Sequence, residues 1–338
     1  MASETPLAFR FRNKYVLMWA LGNTRRLVRG ISALAIASAL ASCDELGQSA
    51  SIAPQTRPTV VAPAPVPRSA ASQDLARYYT AVQNDLLTRG LLRTDGGGPD
   101  TAFRPDDLAR NFETIAFYDE YSRGTLTPTR GTASGGHLSR WSGAVRLSTE
   151  FGASVPQAQR AKDLASINNY TARLARITGH PITSTANNAN FHVFVAGEDD
   201  SEFLQQRLMQ LVPNISQAEL NLFRNLPRSF YCLVVAVSGS RNPNTYTRAV
   251  ALIRAEHPDL VRLSCIHEEI AQGLGLPNDS PRARPSIFND DDEFALLTNH
   301  DELLLRMLYD PRLTPGMTAQ EARPVVQIIA RDLMGQAL

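Results

Sequence analysis

The spacing of hydrophobic positions changes several times along the chain, and each change marks an element. Over Gln73 to Arg93 and over Pro105 to Tyr121, apolar residues recur every three or four positions. This predicts two amphipathic helices parted by the breaker Gly96-Gly97-Gly98-Pro99. From Trp141 the period falls to two: Val145, Leu147 and Thr149 alternate with Arg146, Ser148 and Glu150, as in a strand with one buried face. A long helix is expected from Gln157 to Thr178, stopped by Gly179. Phe191, Val193 and Val195 give a second strand, residues 199–211 a helix, and Tyr231 to Val237 a near-continuous apolar run that reads as a fully buried strand. Residues 246–253 add a strand after the turn Asn242-Pro243-Asn244, and a helix opens near Leu260 and stops at Gly275. Two last helices start at Thr298 and Thr318, the first with Asp301 at capping-box spacing. The alternation predicts an α+β fold, a mixed sheet with the helix of residues 260–275 packed beneath it.

The N-terminal region reads differently. Arg25, Arg26 and Arg29 precede an apolar stretch, Ile31 to Ala41, which runs into Leu40-Ala41-Ser42-Cys43. A charged segment, a short apolar segment and a lipobox form an export signal. The apolar stretch falls short of the roughly 20 residues that span a bilayer. Cleavage before Cys43 would leave a lipid-modified first residue, and the expected partner is a membrane reached through that lipid. Residues before Met18 do not fit a signal, which places the natural start at Met18. Asp44 resembles the residue that retains lipoproteins at the inner membrane, so the expected location is the periplasmic face of an envelope membrane. Pro54, Pro58, Pro63, Pro65 and Pro67 make residues 44–73 a semi-extended linker, able to hold the folded part up to roughly 90 Å from the lipid. The expected organisation is therefore signal and lipobox over 1–43, linker over 44–73, a helical appendage over 74–124 and the main domain over 125–338.

Charge changes the picture only by exclusion. The 34 Lys and Arg against 33 Asp and Glu give a net charge of +1, too little for a whole-chain field that would recruit nucleic acid. Cysteine adds more. With Cys43 committed to the anchor, Cys232 and Cys265 remain out of three, a pair that an oxidising compartment favours as a disulfide worth about 3–4 kcal/mol on the chain-entropy model. Two buried thiols are the alternative.

The stretch from Cys265 to Ser280, Cys-Ile-His-Glu-Glu-Ile-Ala-Gln-Gly-Leu-Gly-Leu-Pro-Asn-Asp-Ser, carries the chemistry. His267-Glu268 opens like a zinc-protease helix, but the second histidine is needed four residues on and position 271 is Ala. Moved by one residue, Glu268 to Asp279 resembles the metzincin pattern H-E-x-x-H-x-L-G-L-x-H-D, with Glu268, Gln272 and Asn278 at the three ligand positions and Glu269 where the general base stands. Gly275 is expected to end the helix in the left-handed region and turn Asn278 back toward the other two. Ser286-Ile287-Phe288 resembles the turn below the metal, with Phe288 where metzincins place Met. The further stretch Asn289-Asp290-Asp291, Leu297-Thr298, Asp301 and Leu308 to Met317 is similar to an uncharacterised bacterial family, the domain of unknown function 2927, over roughly residues 100–318. The resemblance implies a zincin-like, metzincin-like architecture with a degenerate zinc motif in an exported lipoprotein, and it implies no reaction.

Without imidazole ligands the motif leaves three arrangements open. Glu268 can accept hydrogen bonds from the amides of Gln272 and Asn278 with no ion present. A non-zinc cation can be held with help from Asp279, Asp290, Asp291 and Asp292. A zinc site can be completed by His267 or His300. His267 otherwise reads as a partly buried hydrogen-bonding residue, His300 as a surface residue of a first helical turn, and Asn289 to Glu293 as a solvated acidic loop. No cofactor is expected, with the cations as alternatives. Three functions follow: a non-catalytic cleft that binds a peptide or an envelope protein, with Glu268, Gln272, Asn278, Asp279 and His267 as binding residues; a metallopeptidase with Glu269 as base; and a structural envelope lipoprotein.

Overall fold

The computed structural model describes residues 15–20, 67–118, 136–212, 215–239 and 241–335. Cys43, Asp44, the apolar stretch before them and most of the Pro-rich linker lie outside the described residues. Among the described residues no helix is long and apolar enough to cross a membrane.

A mixed sheet forms the centre. Its strands are β1 (Tyr15–Ala20), β2 (Val145–Phe151), β3 (Ile182–Ser184), β4 (Phe191–Ala196), β5 (Cys232–Gly239) and β6 (Asn242–Arg254), in the spatial order β1-β5-β6-β4-β2-β3. The pairs β2–β3, β2–β4, β4–β6 and β1–β5 run parallel, and β5–β6 is an antiparallel hairpin. Every residue of β4 is buried, because helices cover both faces of a sheet whose parallel strands are joined by helical crossovers. On one face Phe194, Leu233, Val235, Val250 and Leu252 pack with α4 (Ser201–Leu211) and α5 (Gln217–Arg224). On the other, Phe191, Val193, Val195, Ala251 and Ile253 join the larger core, which takes in α3 (Gln157–Thr178) and α6 (Asp259–Gln272). The expected helix beneath the sheet is therefore present.

The N-terminal helices depart from expectation. α1 (Ala70–Thr88) begins inside the predicted linker, because the Ser69 hydroxyl accepts from the Ser72 N–H and caps it. α2 (Pro105–Phe117) places Leu108, Phe112 and Ile115 in the same core as the sheet, and α1 adds Tyr79 and Leu86. Residues 66–338 consequently belong to one compact unit rather than to an appendage and a domain. α1 is fixed by the buried Glu256, which accepts from the Ser72 hydroxyl at 2.8 Å and from the Glu198 N–H at 2.7 Å. The chain closes with α7 (Asn299–Leu308) and α8 (Ala319–Leu333), capped by Thr298 and Thr318 through capping boxes with Asp301 and Glu321.

Candidate functional site: the buried polar face of the motif helix

Along α6, Cys265, Glu268, Glu269 and Gln272 stand at positions i, i+3, i+4 and i+7, a spacing that puts four side chains on one helical face. All four have zero solvent exposure. Across from them lies Cys232, the first residue of β5, bridged to Cys265 with their Cα atoms 5.8 Å apart. The bridge ties the helix to the start of β5 one turn before the two glutamates. The Cys232 Sγ and one carboxylate oxygen each from Glu268 and Glu269 lie within 4.8 Å of one another. Neither amide atom of the Gln272 side chain has a hydrogen-bond partner among the described residues.

The end of α6 is built to fixed tolerances. The helix stops at Gln272, three residues before the expected glycine, and Gly273 keeps right-handed torsions as its C-cap. The exposed carbonyls are met by side chains: the Trp141 indole N–H donates to the Gly273 carbonyl at 2.9 Å, and the Tyr309 hydroxyl donates to the Leu274 carbonyl at 3.0 Å. Gly275 then turns the chain at φ 132°, and a Cβ there would stand 2.5 Å from the Ser139 carbonyl oxygen. Both demands require glycine.

Past this turn the expected convergence fails in part. Glu268 and Gln272 share a face, but the Asn278 side-chain amide donates to the Thr114 carbonyl at 3.0 Å and the Asn278 N–H to the Ile115 carbonyl at 3.1 Å. The C-terminal end of α2 thus takes the hydrogen-bonding groups expected to complete a three-residue network with Glu268. Asp279, the next residue, is 9 % exposed. Phe288 is fully buried, and its carbonyl accepts from the Ser280 N–H at 2.9 Å. The turn that carries it is organised by Asp301, whose carboxylate accepts from the Ser286 hydroxyl at 2.5 Å, the Ile287 N–H at 3.0 Å, the Thr298 N–H at 2.9 Å and the Thr298 hydroxyl at 2.8 Å.

The histidines serve elsewhere. His267 lies on a different face of α6, its ring stacked on Tyr170 at 4.0 Å and its Nδ1 accepting from the Leu297 N–H at 3.1 Å. Burial, with the Arg173 charge adding to it, pushes the imidazole down to about 3, so it is a neutral acceptor and not a partner of the glutamates. His300 is fully buried rather than at the surface, with Nε2 3.2 Å from the Asn111 side-chain amide of α2. Asn111 also approaches the Ser280 hydroxyl at 3.5 Å, and this link from α2 to α7 was not anticipated. Its trace in the sequence is a polar residue set into the apolar stripe Leu108, Phe112, Ile115. The Asn289 to Glu293 loop closes on itself and on arginines: Asn289 donates to the Ala283 carbonyl, and Glu293 pairs with Arg284 at 2.6 Å and Arg93 at 3.0 Å.

The face is therefore enclosed rather than an open cleft. A groove of about 400 Å³ does exist, but it lies between α2 and α8 and is lined by residues such as Asp106, Arg110, Glu113 and Arg323, none of them from α6.

The family model described as a protein of unknown function, DUF2927, matches residues 105–328, and the chain belongs to that family. The match begins at the first residue of α2, in accord with the place of that helix in the core. Neither the search of curated proteins nor that of solved structures gave a match.

Proposed function

We propose that the protein is a non-catalytic peptide-binding module of zincin-like descent, exported and held at an envelope membrane through lipidated Cys43. The reading rests on the outer edge of β5, where Tyr15–Ala20 adds a parallel strand over six register pairs, from Tyr15 opposite Leu233 to Ala20 opposite Ser238. An edge that accepts one extended segment through main-chain hydrogen bonds can accept another. Residues 15–17 precede the start placed at Met18 and residues 18–20 fall within the stretch removed by cleavage before Cys43, so in the processed chain that edge would be open to a partner's strand. The enclosure of Glu269 weighs against the peptidase reading, because a general base must reach both water and substrate, and this carboxylate has no accessible surface.

The test compares the chain lacking residues 1–42 with the full chain, using as probe a lysine-flanked peptide of the sequence at 15–20, Tyr-Val-Leu-Met-Trp-Ala. The shortened chain is expected to bind the probe, the full chain to bind it more weakly because its own segment competes, and a probe N-methylated at alternate amides to lose binding. Equal binding of the N-methylated probe would sink the strand-addition reading. Chelator-sensitive peptide hydrolysis that disappears in Glu269→Gln would establish the peptidase instead.

A further inference from the structure

The polar face of α6 holds two different kinds of donor, and the disulfide decides which are available. We propose that Cys232, Cys265, Glu268 and Glu269 form a zinc site that the disulfide keeps closed, so that reduction of the bridge turns a structural cross-link into a metal centre. The inference is independent of strand addition at β5.

The geometry supports it at three points. First, the ligand atoms are already gathered: Cys232 Sγ and an oxygen of each glutamate lie within 4.8 Å of one another. Donor atoms bound to one tetrahedral zinc stand about 3.3–3.8 Å apart, since zinc–sulfur and zinc–oxygen bonds are about 2.3 and 2.1 Å. A small inward movement of side chains closes the difference. Second, Cys265 is on the same helical face as both glutamates, three and four residues before them, and its Sγ is bonded to that of Cys232, so the second sulfur is within the same cluster. Third, Gln272 brings a fully buried amide, with no partner among the described residues for either polar atom, to the next position of this stripe. A buried polar group without a partner costs about 1–3 kcal/mol, and a cation beside it would give the amide oxygen a reason to be there.

The donor chemistry selects the metal. Two thiolates and two carboxylates suit a borderline cation of tetrahedral preference, whereas a carboxylate pair with one amide is too few oxygens for calcium. In the bridged state both sulfurs are spent on each other and are poor ligands. A dithiol reductant would pass two electrons and two protons to the bridge and leave as a disulfide, giving thiols at Cys232 and Cys265; zinc would then displace one proton from each to solvent.

The experiment uses the full chain with Co²⁺ as a spectroscopic probe and Zn²⁺ as competitor. The bridge is reduced by a water-soluble phosphine, which supplies two electrons and takes up the oxygen of a water. The oxidised chain is expected to show no thiolate-to-cobalt charge-transfer band. The reduced chain is expected to bind one Co²⁺, to show that band, and to release the ion to Zn²⁺. Glu268→Gln and Glu269→Gln should each weaken zinc binding at least about tenfold, with folding checked by near-ultraviolet circular dichroism. Cys265→Ser, which cannot form the bridge, guards against loss of fold on reduction; it keeps three of the four ligands and should bind without reductant, more weakly than the reduced chain. Equal binding by oxidised and reduced chains, a charge-transfer band indifferent to both Glu→Gln changes, or absence of binding in both the reduced chain and Cys265→Ser would each overturn the proposal.

Discussion

Trp141 and Gly273 are joined by a hydrogen bond of 2.9 Å from the indole N–H to the backbone carbonyl, which fastens the approach to β2 onto the last turn of the motif helix. The indole is 2 % exposed and stacks on Phe191 of β4, whose ring lies where a Cβ on Gly273 would have to go, at 2.4 Å. One aromatic pair thus sets both the depth of α6 beneath the sheet and the residue allowed at its end. Trp141→Phe keeps most of the apolar volume but strands the carbonyl. A loss of about 1–3 kcal/mol in unfolding free energy is expected, read from a lower denaturant midpoint at unchanged slope.

Two glycines with positive φ separate backbone strain from steric exclusion. Gly90, at φ 73°, has nothing within 4 Å of a built Cβ, and Gly90→Ala is expected to cost only the left-handed penalty of about 1 kcal/mol. Gly275→Ala adds a backbone collision with Ser139 at 2.5 Å and should cost at least about 2–3 kcal/mol more. Unfolding curves of the two variants, compared with the parent, check the difference.

The Asp301 carboxylate gathers the 286–288 turn and the start of α7, accepting from four donors. Asp301→Ala leaves those donors buried and is expected to lower stability by about 3–5 kcal/mol. Asp301→Ser should recover less than half of that. Faster amide exchange at Ile287 and Thr298 would locate the damage, and unchanged exchange there would refute this role.

His267 gives the fold a pH dependence of definite sign. Its folded value is pushed down to about 3 by burial first and the Arg173 charge second, whereas an unfolded histidine titrates near 6.5. Between those values the unfolded chain binds the extra proton, so stability is complete above about pH 6.5 and is lost as the pH falls toward 3. His267→Gln retains an acceptor for the Leu297 N–H while removing the titration. The expected result is a flatter plot of unfolding free energy against pH over that window; an unaltered slope would assign the acid sensitivity to other groups.

The lipid attachment proposed for Cys43 has a direct check. Cys43→Ala is expected to abolish incorporation of labelled fatty acid and to move the protein from the membrane fraction to the soluble fraction of the envelope. Retention in the membrane with no label incorporated would point to another attachment.

Much of the architecture was legible because hydrophobic period reports local geometry directly. α3 runs from Gln157 to Thr178 as the sequence indicates, stopped by Gly179 at φ 65°, and β4 and β5 fall on the apolar runs that name them. β3 was missed because three residues are too few to show a period, and α5 because Gln217–Arg224 has no capping signal strong enough to separate it from the loops around it. α1 and α2 were recognised as helices but misplaced as an appendage. An amphipathic stripe states that a face is buried and not against what, and only the packing of Phe112 and Tyr79 shows that it is the main core.

The same division runs through the motif. Helical spacing alone places Cys265, Glu268, Glu269 and Gln272 on one face, and the two cysteines other than Cys43 already suggest a bridge, because both inferences need only local geometry and composition. Whether that face meets solvent, and where Asn278 turns after Gly275, depends on α2 and on residues more than 160 positions away in sequence, such as Thr114. Such contacts leave no period in the chain. They are selected by how whole elements fill the space beneath the sheet, which is why the sequence determined the chemistry available on α6 and the tertiary structure decided that it would be enclosed.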